Sequence, residues 1–175
     1  MFKKNSTGGP QHGIAGGTTR IRNGWIALTC LSFLLAMTGC QTVPNLPPLD
    51  LSEQGWTTRQ GQAIWSANRE APEIAGEILV ATNTDGRSFV QFTKTPLPFV
   101  VAETTRTGWQ IHSAMNNRTY AGHGEPPGRV LWFHLPQCLA GSPPPRPWSW
   151  VAQPDGGWLL ENQSNGEKLQ GYLNP

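Results

Sequence analysis

Residues Glu77 to Ser113 read EILVATNTDGRSFVQFTKTPLPFVVAETTRTGWQIHS and carry the clearest structural signal in the chain. Apolar residues recur there at every second position, as in Ile78 and Val80, which is the spacing of a strand with one buried face. The pattern breaks at turn-forming residues such as Thr84-Asp85-Gly86, a hairpin signal, and Gly108. The stretch therefore predicts four antiparallel strands joined as a meander.

Both faces of this meander are partly apolar. Its large apolar residues include Val90, Phe92, Phe99, Val100 and Val101. We therefore expect one face to line an interior and another part of the chain to cover it. Pro96 and Pro98 cannot donate hydrogen bonds to a neighbouring strand, so we place them at a strand edge or at a bulge.

The segments on either side extend the sheet. Trp56 to Ala67 alternates, with Ala63 and Trp65 facing one way, and predicts a first strand. WSWVAQ (148–153), WLLEN (158–162) and KLQGYL (168–173) predict three more strands joined by turn signals. The expected fold class is mainly β, with one antiparallel sheet.

Three segments interrupt the strands. NRTYAGHGEPPG (117–128) is rich in Gly and Pro and is expected to be mostly loop. RVLWFHLPQCLA (129–140) is the best candidate for a short helix or a helix-like lid that plugs the sheet, and Pro136 is expected to break the helix or to begin a turn there. SPPPRP (142–147) is expected to be a stiff connector.

The N-terminal segment differs in composition from the rest. Basic residues precede an apolar run of about twelve residues within WIALTCLSFLLAMTGC (25–40), which is typical of a signal peptide. A membrane-spanning helix needs about twenty apolar residues, although an uncleaved single-pass anchor is the alternative. After this segment nine Lys and Arg residues stand against eleven Asp and Glu residues, without a basic cluster. This balance argues against a nucleic-acid partner.

Residues 35–39, LAMTG, lead into Cys40, a pattern that resembles a bacterial lipobox. The resemblance implies that a diacylglycerol is joined to the Cys40 sulfur, that the chain is cut before Cys40, and that an N-acyl chain is added to the new amino group. Each buried methylene adds about 0.8 kcal/mol of membrane affinity, so several acyl chains anchor a protein stably. Gln41 after the cysteine implies sorting to the outer membrane, with the protein facing the periplasm. No other cofactor is expected.

The expected organisation has three parts. Residues 1–39 form the lipoprotein signal peptide, residues 40–54 form the lipidated cysteine and its tether, and residues 55–175 form the β domain. The tether includes QTVPNLPPLDLS (41–52), whose three prolines predict an extended, solvated segment.

Three stretches together resemble the LolA/LolB-like outer-membrane lipoprotein localisation family: the lipobox, FVQFTKTPLPFVVAETTRTGWQI (89–111) and FHLPQCLAGSPPP (133–145). The resemblance implies an antiparallel sheet curved into a half-barrel, closed by a short helical segment and holding acyl chains on its concave face. It also implies that a soluble periplasmic carrier delivers lipoproteins to the membrane-anchored member. Leu97, between Pro96 and Pro98, is our candidate for the exposed apolar loop residue that this member uses for insertion.

Eight residues are candidates for lining the apolar cavity that such cargo requires. They are Ile78, Val80, Phe92, Val100, Trp109, Ile111, Trp132 and Leu135. The expected function is that of an outer-membrane lipoprotein that binds or accepts lipidated or other apolar cargo. A filled core explains the same residues, so the alternative is a structural lipoprotein that docks an envelope partner.

Enzymatic interpretations have little support in the sequence. His112, His123 and His134 are spaced by eleven residues, and no carboxylate or cysteine pair accompanies them in a known metal-ligand pattern. We find no Gly-x-Ser-x-Gly motif, phosphate-binding loop or Cys/His nucleophile arrangement. We therefore expect neither an enzyme nor a metal site, and we expect Cys138 to be a small buried apolar residue.

Overall fold

The computed structural model describes Leu46 and residues 49 to 174. The predicted signal peptide and Cys40 lie outside the described residues. The described chain forms a mainly β fold with one short helix, as predicted. Its elements are β1 (Trp56–Ser66), β2 (Ile74–Asn83), β3 (Ser88–Lys94), β4 (Leu97–Thr104), β5 (Gly108–Ser113), β6 (Arg118–His123), α1 (Leu131–Leu139), β7 (Trp148–Ala152), β8 (Gly157–Asn162) and β9 (Lys168–Leu173).

The nine strands form one sheet in the order β6-β5-β4-β3-β2-β1-β9-β8-β7. Every neighbouring pair is antiparallel. The strands β6 and β7 are the two edges, so the sheet is open. The chain enters at β1 in the middle, runs outward to β6, crosses through α1 to the other edge and returns inward to β9, which pairs with β1.

Alternation fixes which residues face the interior. Ala63, Ile78 and Phe92 are at most 3% exposed and point to the face that α1 covers, which we call the inner face. Their neighbours Gln62 and Glu77 point to the opposite, outer face and are exposed. This alternation follows from the pleat of the strand, which places successive side chains on opposite faces.

The prediction that residues 117–128 are mostly loop is wrong for Arg118–His123, which form β6. The first three residues of β6 are exposed, so the strand shows little apolar alternation in its sequence. Gly122, which looked like a loop residue, makes room for an indole ring: a Cβ there would lie 2.6 Å from Cζ2 of Trp109. The pairing of β6 with β5 thus depends on a contact that the local sequence does not reveal.

The predicted position of Pro98 beside a bulge is confirmed, whereas Pro96 lies in the turn between β3 and β4. The register between β3 and β4 shifts after Phe92, because Phe92 pairs with Val100 whereas Thr93 pairs with Pro98. Phe99 is therefore an extra residue at a bulge. As a result Phe99 and Val100, although consecutive, both pack against the core.

The predicted helix is also confirmed, but Pro136 neither breaks it nor begins a turn. Pro136 lies inside α1, which continues to Leu139. The missing N–H of Pro136 removes only one helical hydrogen bond, the one that the carbonyl of Trp132 would accept. The carbonyl of Pro136 still accepts a hydrogen bond of 3.1 Å from the backbone N–H of Ala140.

The described end of the predicted tether, residues 46 and 49–54, and Gly55 after it contact the sheet. We call this segment the strap. A Cδ2 of Leu46 lies 3.7 Å from the position of a Cβ at Gly108, and Glu53 forms an ion pair of 2.7 Å with Arg87. The backbone carbonyl of Gly55 accepts a hydrogen bond from the N–H of Thr84. Within residues 41–52, which we expected to be solvated, Leu46 is half-buried near β5, whereas Asp50 and Ser52 are exposed.

Candidate functional site

The inner face and α1 together form one apolar interior. The sheet contributes inward residues from β1, β2, β3, β4, β7, β8 and β9, and α1 lies across them. Seven of the nine residues of α1 are buried. A helix that is apolar on nearly all sides belongs in a core, which explains why this short segment lies against the inner face of the sheet.

Aromatic contacts join α1 to the sheet. The Trp132 ring stacks on Phe92, with centroids 5.5 Å apart and planes at 30°. It also approaches Trp65 at 5.8 Å. Phe133 meets Trp109 edge to face, with centroids 5.7 Å apart. Each such pair adds about 0.5–1.5 kcal/mol to stability beyond the burial of its area. These contacts therefore stabilise the packing of α1 against the inner face.

The structure brings all eight predicted cavity residues into this interior. Two of them, Trp109 and Ile111, are half-buried and pack against the core. The other six are at most 4% exposed: Ile78, Val80, Phe92, Val100, Trp132 and Leu135. The side chains of α1 occupy the space in front of the sheet residues. The interior is therefore packed by the protein's own side chains in this structure.

Other interior residues were not among the cavity candidates, although the sequence placed Ala63 and Trp65 on one face and correctly predicted that Cys138 is buried. These other residues are Ala63, Trp65, Val90, Ala102, Leu131, Phe133, Cys138, Trp148, Trp158, Leu160, Leu169 and Leu173. Alternation in the C-terminal strands was a usable signal, because Trp158 and Leu160 are two residues apart. No sequence signal indicated that β9 lies beside β1, which is what brings Leu169 opposite Trp65.

Leu97 is exposed, as predicted, with 65% of its surface accessible. It does not lie in a loop but is the first residue of β4, paired with Lys94 across the turn Thr95-Pro96. Met115, in the neighbouring β5–β6 turn, is 54% exposed. The backbone N–H of Ala114 donates to the carbonyl of Phe99, so these two turns lie side by side. Together Leu97 and Met115 form an apolar tip at one end of the sheet.

One carbonyl ties the loop before α1 to β7. The carbonyl oxygen of Gly128 accepts hydrogen bonds from Nε2 of His134 at 2.8 Å and from Nε1 of Trp148 at 2.7 Å. Because a carbonyl can only accept, His134 carries its proton on Nε2. We call this arrangement the Gly128 latch.

The three histidines do not form a site. His112 bonds to Thr119 on the outer face, His123 ends β6, and His134 belongs to the Gly128 latch. Within residues 49 to 174 we find no group of three His, Cys, Asp or Glu side chains that could hold a metal ion. The arrangement thus offers no metal-ligand set in the described chain.

Burial perturbs several ionisable groups. It raises the pKa of the Cys138 thiol to about 11, so this thiol stays protonated at neutral pH. Burial also raises the pKa of Glu167, and a hydrogen bond of 3.3 Å from Nε1 of Trp65 acts in the opposite direction. Burial raises the pKa of Glu103 on β4 as well.

Two open grooves accompany the packed interior. The larger, of about 830 Å³, is lined by the middle of β1, β2 and β9 and by the β3–β4 and β7–β8 turns. The smaller, of about 370 Å³, lies across β9, β1, β2 and β3. None of the eight cavity candidates lines the larger groove, and only Ile78 lines the smaller.

No helix in the described part of the chain combines the length and the apolar character needed to cross a bilayer. No protein-family model matches this chain, and no curated protein matches it closely enough to count as a relative.

Proposed function

We propose that this protein is an outer-membrane-anchored lipoprotein, facing the periplasm, that binds or accepts lipidated or other apolar cargo. One observation carries the proposal. Between α1 and the sheet we find apolar contacts but, among residues 49 to 174, no side-chain hydrogen bond or ion pair. A cover held mostly by non-directional contacts can move away at the loss of few polar contacts, here those of the Gly128 latch.

The open sheet supports the same proposal. In a LolA/LolB-like half-barrel, displacement of α1 would uncover the inner face, and acyl chains would replace its side chains. Segments rich in Gly and Pro flank α1 on both sides, at 124–128 and 141–147. Gly128 before α1 and Gly141 after it are positions at which the backbone can bend.

The anchor and the apolar tip complete the proposal. A diacylglycerol and an N-acyl chain on Cys40 would hold the protein at the membrane, while a periplasmic carrier would supply the cargo. Leu97 and Met115 would enter the bilayer when cargo is released. Lys94 flanks Leu97 and Arg118 follows the second turn, and neither turn contains an acidic residue. No carboxylate in either turn therefore opposes the approach of Leu97 and Met115 to a bilayer.

A second function is favoured by a specific observation. The stacking of Trp132 on Phe92 fills the interior, as expected of a structural lipoprotein that docks an envelope partner through its surface. The two functions differ in whether α1 ever leaves the sheet.

The buried thiol of Cys138 on α1 distinguishes them, because it is 2% exposed when α1 is seated. Protein purified from membranes is mixed with a fluorescent fatty acid and a maleimide, and peptide mass spectrometry locates the label. Cargo binding predicts saturable uptake and at least about tenfold faster labelling of Cys138. A fatty acid that neither binds nor changes the labelling rate leaves the scaffold function as the better explanation.

The anchor and the tip are tested separately. Cys40→Ser is expected to release the protein from the membrane fraction and to remove the acyl mass.

Leu97→Asp is expected to leave fatty-acid uptake unchanged but to weaken transfer of a lipidated cargo to vesicles. Tyr120→Asp, on β6, is the control for an added surface charge, since Tyr120 is 48% exposed. Equal transfer by the Leu97 and Tyr120 variants would remove the apolar tip from the proposal.

A further inference from the structure

The outer face of the sheet carries a polar patch that the proposed function does not use. Gln62 on β1 pairs with Glu77 on β2 and with Tyr172 on β9, so these three side chains share one row. Ala63 beside them points inward and is 3% exposed. The patch therefore lies on the face of the sheet opposite α1.

This row and its neighbours line the smaller groove of about 370 Å³. We call the set the outer-face patch. Its members are Gln60, Gln62, Glu77, Gln91, Tyr172 and Asn174. Four of the six are primary amides, one is a phenol and one is a carboxylate, and no Lys or Arg lines the groove. The absence of cations disfavours phosphate or any other anionic ligand.

The amides of the patch are available for a ligand. Among residues 49 to 174, the side chains of Gln60, Gln62 and Asn174 make no hydrogen bond, and Nε2 of Gln91 donates only to Thr93. Each primary amide offers two donor hydrogens and one acceptor oxygen. The groove therefore presents paired donors and acceptors that complement another amide, such as an acetamido group.

Tyr172 supplies the apolar part of such a site. Its ring is 48% exposed at one side of the groove, and half-buried Leu79 lies in the lining as well. An aromatic ring with a polar end suits a ligand whose faces are apolar and whose rim carries hydrogen-bonding groups. A pyranose ring has this character.

We propose that the outer-face patch binds a neutral oligosaccharide of N-acetylated amino sugars. The amides and the Glu77 carboxylate bond to hydroxyl and acetamido groups, and Tyr172 packs against one sugar ring. This binding is independent of apolar cargo, because the two sites occupy opposite faces of the sheet. It would fasten a lipid-anchored protein to the polysaccharide of the envelope.

The test titrates the full-length, membrane-extracted protein with the trimer of N-acetylglucosamine, followed by calorimetry and by intrinsic tryptophan fluorescence. We expect saturable binding with a Kd near or below about 1 mM, the range of a small polar site. A trimer of glucose lacks acetamido groups and is expected to bind at least about tenfold more weakly.

Tyr172→Ala and Gln62→Ala are each expected to weaken binding of the N-acetylglucosamine trimer by about tenfold. Tyr120→Ala is the matched control, because Tyr120 is also 48% exposed but lies on β6, away from the patch. Both tyrosines are exposed, so neither variant should unfold, and thermal melting checks this. No saturable binding, equal binding of both trimers, or equal losses in the Tyr172 and Tyr120 variants would overturn the proposal.

Discussion

The two faces of the sheet are covered in different ways. On the inner face α1 packs through aromatic and aliphatic side chains, as in the stack of Trp132 on Phe92. On the outer face the strap makes polar contacts at the β2–β3 turn, where Arg87 binds both Glu53 and Asp85. The Arg87 guanidinium also lies over the Trp56 ring, 5.2 Å from its centroid.

The two kinds of contact are expected to contribute differently to the fold. Apolar burial contributes much of the folding free energy but does not require one geometry. Helix α1 can therefore stabilise the fold and still be replaced by other apolar groups. Ion pairs at an exposed surface contribute little free energy but require one geometry. We therefore expect the inner cover to carry the stability of the fold and the strap to fix where the chain leaves the domain.

The largest expected effect is that of Trp132→Ala on the inner cover. Truncation removes the stack on Phe92 and leaves a cavity, which costs about 3–5 kcal/mol of unfolding free energy. Trp132→Phe keeps an aromatic ring and should cost clearly less. Urea denaturation followed by circular dichroism measures both variants. If Trp132→Ala lowered the free energy of unfolding no more than a strap variant does, the two covers would not differ in stability as we expect.

The Gly128 latch is the polar contact nearest to the inner cover, and its loss is expected to have an intermediate effect. Trp148→Phe removes the 2.7 Å hydrogen bond from Nε1 to Gly128 and should cost about 1–2 kcal/mol. Trp150→Phe is the control, since Nε1 of Trp150 makes no hydrogen bond in residues 49 to 174. Urea denaturation measures the free energy of unfolding of both variants. Equal losses of this free energy would mean that the hydrogen bond to Gly128 adds nothing beyond the effect of ring size.

Removing the strap contacts is expected to have a smaller effect. Arg87→Ala deletes the pairs with Glu53 and Asp85 and the contact with Trp56, so we expect a small loss of unfolding free energy. Lys168→Ala deletes a surface ion pair of the same 2.7 Å length, with Glu73, but no aromatic contact. Lys168→Ala should lower the Tm less than Arg87→Ala does, and high salt should reduce the effect of both substitutions. Thermal melting at low and high salt provides the measurement.

The smallest effect concerns Glu167, which lies at the border of the inner core. Burial raises its folded-state pKa, so the folded protein favours the protonated carboxyl. That contribution is fully present below the unfolded-state pKa of about 4.3 and is lost as the pH rises through the raised folded-state value. Glu167→Gln should therefore raise the Tm slightly at neutral pH and leave it nearly unchanged in acid. A gain that is larger in acid would contradict this assignment.

Parts of the fold and of the interior could be predicted because their signals are local. The alternation that placed Ile78, Val80 and Phe92 on one face is a property of the strand itself. The apolar run of α1 likewise marked a covering segment. In contrast, β6 escaped prediction because its residues are exposed and its Gly122 is explained only by the Trp109 ring that lies against it.

The sequence by itself determined the strand period, most of the turns, the covering helix and the pattern around Cys40, because each depends on neighbours within a few residues. Only the tertiary structure decided that β9 pairs with β1, that the strap lies on the outer face, and that Trp132 fills the space in front of Phe92. These features join segments far apart in the chain. Their free energy comes from surfaces that exist only once the sheet has formed.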